Sequence, residues 1–204
     1  MIKKMILTSL LTFTSIHADT LNPLLQIGYD WGGDTLAIID HDYEGTNTIR
    51  AGNGLNLEAG AVYQSPQSNL ELRFLVGYKI DSDSAYNGDV TWDVIPFTAL
   101  AMFKAQNWKF GGGATYHLDP KLSGSFIEYD HNGKPYYNSV NDVYDNAFGG
   151  VAQIQYQPTE AFGIGLKATF IEYQLKNNPT VKVNGDSLGI VFTYAFGNEY
   201  SEFR

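Results

Sequence analysis

The sequence predicts an all-β fold, an eight-stranded antiparallel up-and-down transmembrane β-barrel. Three observations lead there. Eight segments read as strands, and several of them alternate large apolar residues with small or polar ones at the period of two that a strand imposes. The connections between them alternate between short and long, and aromatic rings gather toward the segment ends.

The first segment, 23–39, carries Gly32-Gly33, where a bend is expected because glycine inside a strand often marks one. A second covers 49–64. The third, 69–81, is the clearest: Leu70, Leu72, Phe74, Val76, Tyr78 and Ile80 share one face, and Glu71, Arg73, Leu75, Gly77 and Lys79 the other. The fourth, 90–104, is apolar on both faces and holds Pro96, which lacks a ladder donor and predicts a bulge. The fifth, 108–118, sets Trp108, Phe110, Ala114 and Tyr116 against Lys109, Gly111, Gly113, Thr115 and His117. The sixth spans 144–157. The seventh, 161–175, opposes Phe162, Ile164, Leu166 and Phe170 to Gly163, Gly165, Lys167 and Thr169. In the eighth, 183–196, Leu188, Ile190, Phe192, Tyr194 and Phe196 face away from Ser187, Gly189, Val191, Thr193 and Ala195.

Connections 65–68, 105–107 and 158–160 are tight, whereas 40–48, 82–89, 119–143 and 176–182 are long and rich in Asp, Asn, Gly, Ser and Tyr. Short turns at one end and long loops at the other, with an even strand count, are the plan of a membrane barrel. Tyr29, Trp31, Tyr63, Tyr78, Trp92, Trp108, Tyr116, Tyr156, Phe162 and Phe196 lie toward the segment ends, where rings would meet the membrane–water boundary. A soluble lipocalin-like barrel would show the same alternation with its faces exchanged. The aromatic ends, the glycine-rich small face and the form of the terminal strand favour the membrane.

Residues 1–18 read as a cleaved signal peptide: Lys3-Lys4, an apolar run from Met5 to Ile16, then Ala18 before Asp19. That run is shorter than the roughly 20 residues a spanning helix needs. Residues 19–204 then form the barrel domain. Losing Lys3 and Lys4, and no acid, makes the formal charge of −9 two units more negative, which argues against nucleic acid as a partner. With no cysteine, disulfides, thiolate metal sites and thiol nucleophiles are absent.

Ser187-x-Gly189-x-x-Phe192-x-Tyr194 resembles the C-terminal signal by which barrel-assembly machinery recognises outer-membrane barrels. The layout from Leu21 to Phe196 resembles the small eight-stranded outer-membrane β-barrel proteins of Gram-negative bacteria. Such chains usually stop at the aromatic residue, whereas this one continues through 197–204. The resemblance implies residence in the cell outer membrane, with outer-membrane lipid and lipopolysaccharide as neighbours and Ser187–Phe196 as the segment read by the assembly machinery.

If the small face points inward, the lumen collects Asp30, Glu58, Glu71, Arg73, Lys79, Lys109, His117, Gln153, Gln155 and Lys167. Eight strands leave an interior just wide enough for side chains to fill, and buried charges there must pair. Glu58, Glu71 and Arg73, on strands joined by the 65–68 turn, are expected to form one cross-strand Glu–Arg–Glu cluster. A salt-bridged plug that conducts few ions outweighs a gated pathway. The lipid A deacylases among such barrels carry His-x-Ser, whereas here Ser123 lies six residues beyond His117, so no catalytic residues are assigned.

The long loops are acidic, with Asp40, Asp42, Glu44, Asp81, Asp83, Asp89, Glu128, Asp130, Asp142 and Asp145. Tyr86 stands where a calcium loop needs glycine, so no metal or cofactor is assigned. Gly111-Gly112-Gly113 sits inside a strand with no helix after it, which fails the context test for a phosphate loop. The function expected is structural or interactive, with a narrow channel or transporter for small molecules, hydrophobic ones included, as the alternative. A lipid A-modifying enzyme ranks third.

Overall fold

A computed structural model describes residues 21–41, 45–65, 67–85, 88–129 and 134–196. The segment 1–18 expected to be a signal peptide, Asp42, Glu44, Tyr86, Asp130 and the 197–204 extension lie outside the described residues. The strands are β1 (Leu21–Gly32), β2 (Thr35–His41), β3 (Gly45–Arg50), β4 (Gly54–Gln64), β5 (Leu70–Ala85), β6 (Gly88–Ala105) and β7 (Trp108–Tyr129). After them come β8 (Pro135–Val143), β9 (Ala147–Tyr156), β10 (Phe162–Phe170), β11 (Glu172–Leu175), β12 (Asn178–Asn184) and β13 (Ser187–Ala195).

Eight of these form a ring. The order β6-β5-β4-β1-β13-β10-β9-β7 is closed by pairing of β6 with β7, and every step is antiparallel. Each of the eight strands therefore has two neighbours, and the sheet has no open edge through the barrel. The first strand meets the last, with Leu24 opposite Ala195 and Gly32 opposite Ser187.

The expected strands are all present, but the long connections are more ordered than the sequence suggests. The first two segments break at Gly32-Gly33 and near Gly54, both at positive φ, where glycine alone adopts the backbone at no cost. The freed residues form the hairpin β2–β3. Likewise 161–175 and 183–196 give up residues to the hairpin β11–β12. Connection 119–143 is not a loop: β7 runs on to Tyr129 and returns as β8, paired from Lys121–Val143 to Tyr129–Pro135.

The bulge expected at Pro96 sits slightly earlier, and its extra residue belongs to the partner strand. Asp93 pairs with Lys121 but Ile95 pairs with Leu118, so two steps along β6 match three along β7. Asp119, at φ 50°, takes up the difference. One extra residue exchanges the faces of everything beyond it.

Candidate functional site

The ring sorts its side chains by chemistry. Outward positions from Leu70 to Ile80, Ile95 to Phe103, Trp108 to Leu118 and Leu188 to Phe196 carry no charged residue, and the same holds for β1, β4, β9 and β10. Phe74 is 59% exposed and Phe148 74%, while Arg73 and Glu58 are each 1% exposed. Each outward run matches the ~9–11 residues a tilted strand needs to cross a bilayer. In water this arrangement would bury ions and expose rings. In lipid both faces are satisfied, and closure leaves no backbone edge unpaired.

All eight ionisable residues singled out from the sequence for the lumen, Asp30, Glu58, Glu71, Arg73, Lys79, Lys109, His117 and Lys167, are buried inside the ring, as are Gln153 and Gln155. Near the short-turn end, Arg73 Nε donates to Glu71 Oε1 at 2.5 Å, and Lys109 bonds the other oxygen of Glu71. Arg73 Nη1 reaches across the lumen to Gln155 Oε1 at 2.8 Å. Gln153 Nε2 donates to Gln155 Oε1 at 3.2 Å and to Gln26 Oε1 at 3.3 Å. Gln26 Nε2 in turn donates to Glu58 Oε2 at 2.5 Å, and Lys167 Nζ meets the same oxygen at 3.1 Å. A continuous hydrogen-bonded column thus runs from Lys109 to Lys167.

The single Glu–Arg–Glu cluster expected from the sequence is not formed. Glu58 lies opposite Gly77 and Arg73 opposite Val62, so the two are separated along the barrel axis. Barrel closure gives Glu58 a nearer cation, Lys167 of β10. Higher in the lumen Lys79 pairs with Asp30 at 3.0 Å and donates to Gly52 O at 2.5 Å. Gln26, and Thr98, which donates to Glu58 Oε1 at 3.1 Å, belong to the site but have no sequence signal beyond their inward parity.

Above this column the polarity of the sheet inverts. Inward residues become Val90, Trp92, Leu122 and Val140, packed with Ile49 of β3, Tyr173 of β11, and Tyr144 and Ile171 from the connections after β8 and β10. Trp92, expected from the sequence at the membrane boundary, is instead fully buried in this cap, where it meets Tyr144 and Tyr173 edge-on, each at 5.3 Å between centroids. The outward face turns polar at Asp93 and Lys121. Exchange of faces at Asp119 makes this work for β7: it aims Leu122 into the cap and Lys121 and Ser123 outward. His117 is the junction, its Nδ1 2.7 Å from Tyr173 Oη. Burial, with the Asp30 carboxylate adding to it, pushes the Tyr173 phenol well above its ordinary value. Burial also raises the Asp81 carboxyl, against a hydrogen bond from the Arg50 backbone N–H at 3.3 Å.

His117 and Ser123 point to opposite faces of β7, one buried and one on the outer surface, so they form no nucleophile–base pair. Among the described residues no group of three His, Asp or Glu side chains is placed to hold a metal.

No family model and no curated protein matches the sequence. Among solved structures the chain is similar to Ail, the attachment invasion locus protein of Yersinia pestis, in complex with the heparin analogue sucrose octasulfate. That match has 15% identity and a TM-score of 0.48, over 87% of this chain and 99% of that one. Neisserial surface protein A matches at 15% identity and a TM-score of 0.45, over 86% and 97%. The translocator domain of the autotransporter NalP from Neisseria meningitidis matches at 12% identity and a TM-score of 0.32, over 96% and 95%. Likeness at this level adds no weight to the strand pairing, which stands by itself. A closed ring, an uncharged outer band, an ion-paired interior and long hairpins at one end make the chain a β-barrel of the outer-membrane type.

Proposed function

We propose that this barrel is a structural or interaction protein of the outer membrane whose lumen does not conduct. The observation that supports this is the column from Lys109 to Lys167 lying under the Trp92–Tyr144–Tyr173 cap. An ion entering from the short-turn end meets paired charges and then an apolar seal. Planar-bilayer recording of the purified protein tests it: the expected record has no steady unit steps. Discrete, stable channels would favour the alternative, a narrow route for small molecules.

The cap presents the functional surface in this reading, displayed outside the membrane by hairpins β2–β3, β7–β8 and β11–β12. Asp34, Asp89, Asp119, Asp145 and Glu172 are exposed there beside Arg50, Lys134, Lys176 and Lys182, and with a formal charge of −9 for the whole chain nucleic acid is not proposed as a partner. The heparin analogue bound by the Yersinia protein is not carried over to this chain. No enzyme activity is proposed, because His117 is sealed within the barrel and bonded to Tyr173. Lipid A mass profiles with and without the gene are expected to coincide. Lipid and lipopolysaccharide surround the barrel in this reading, and Ser187–Phe196, whose apolar face is outward, is the segment offered to the assembly machinery.

A further inference from the structure

The outer face of β5–β8 above the apolar band is a two-row array of small polar side chains, set by the strand register. Ser82 pairs with Thr91, Thr91 with Ser123, and Ser123 with Asn141. One row higher, Ser84 pairs with Asp89, Asp89 with Ser125, and Ser125 with Ser139. Neighbours stand ~4.8 Å apart across strands and ~7 Å apart along them. Below the array lies the row Ile80, Asp93, Lys121 and Val143, where the lipid-facing surface ends.

We propose that this sheet face docks the headgroup sugars of the outer-leaflet glycolipid around the barrel. The inference rests on the outer-membrane reading above and deepens it. The array continues the lipid-contacting face on the same strands without a break, so what lies against it is what lies immediately outside the acyl chains. Hydroxyl, amide and carboxylate groups on a flat, rigid sheet both donate to and accept from saccharide hydroxyls. Lys121, one row lower and beside Asp93, stands at the level of the headgroup phosphates. A protein partner fits less well, because protein interfaces centre on apolar and aromatic anchors and these two rows hold none.

The test compares the full chain in phosphatidylcholine vesicles alone, with added lipid A, and with added lipid A bearing its core oligosaccharide. The expected result is a melting temperature raised by several degrees with the core sugars, beyond any shift from lipid A alone. Thr91→Val/Ser123→Val loses at least half of that increment while melting like the parent in phosphatidylcholine, since valine suits a strand. Should that variant fail to fold, Ser84→Ala/Ser139→Ala carries the same expectation. An increment that survives these substitutions, or a full shift with lipid A alone, overturns the proposal. So does a shift that follows protein density rather than sugar content, which assigns the face to a second copy of the chain. Failure of the parent to insert into any of the vesicles is a different result, and it overturns the outer-membrane reading itself.

Discussion

Gly189 of β13 leaves the space that the Asp30 carboxylate fills: a β-carbon at Gly189 would overlap Asp30 Oδ1. The two residues are direct partners across the seam where the first strand meets the last. Gly189 is also the glycine of the C-terminal motif, so one residue serves both the pattern and the packing. Gly189→Ala is expected to push Asp30 off Lys79 and to cost ~1–3 kcal/mol. Urea unfolding followed by heat-modifiable gel mobility checks this. An unchanged midpoint would show that the carboxylate has other room.

Glu58 is the acceptor for Lys167, Gln26 and Thr98. Replacing it with Leu strands a buried ammonium, and the loss of one partner of a buried pair costs ~3–5 kcal/mol. Glu58→Leu with Lys167→Met should recover much of that loss, because removing both charges also removes their desolvation. A double-mutant cycle on the unfolding midpoint measures the coupling.

Much of this was legible in the residues. Alternation in Leu70–Ile80 and Leu188–Phe196 sets the faces, and the inward positions of Glu71, Arg73 and Lys79 follow from parity alone. Pairing across the lumen was not legible, since Glu58 and Lys167 are 109 residues apart and only ring closure brings them together. The cap was hidden for a different reason. Leu118-Asp119-Pro120 reads as the start of a loop, yet Asp119 is one added residue in a continuing strand. Past it, the alternation of Lys121, Leu122 and Ser123 serves an inverted core.

Leu122→Lys should therefore place a charge inside the cap, next to Trp92, whereas Lys121→Leu changes only the outer surface. The cap is expected to loosen while the barrel below keeps its heat-modifiable mobility. Fluorescence of Trp92 in a Trp31→Phe/Trp108→Phe background should shift to the red. A Leu122→Lys variant with native Trp92 emission would contradict the inverted register.

Tyr173 gives the cap a pH limit. Its folded-state phenol lies above the ordinary value of 10.0, so the fold favours the neutral form. That stabilisation is complete below the ordinary value and is lost as pH rises toward the folded one. Alkaline titration should ionise Tyr173 only with loss of near-ultraviolet circular dichroism. Tyr173→Phe should remove this alkaline step.

The account depends on apolar side chains facing acyl chains and ionised ones facing inward, and β10 offers the most direct measurement. The chain has no cysteine, so single cysteines placed from Phe162 to Phe170 can each carry one fluorophore in vesicles with brominated acyl chains. Quenching is predicted at 162, 164, 166, 168 and 170, with labels at 163, 165, 167 and 169 spared. Quenching without alternation, or a folded chain that needs neither lipid nor detergent, would contradict it.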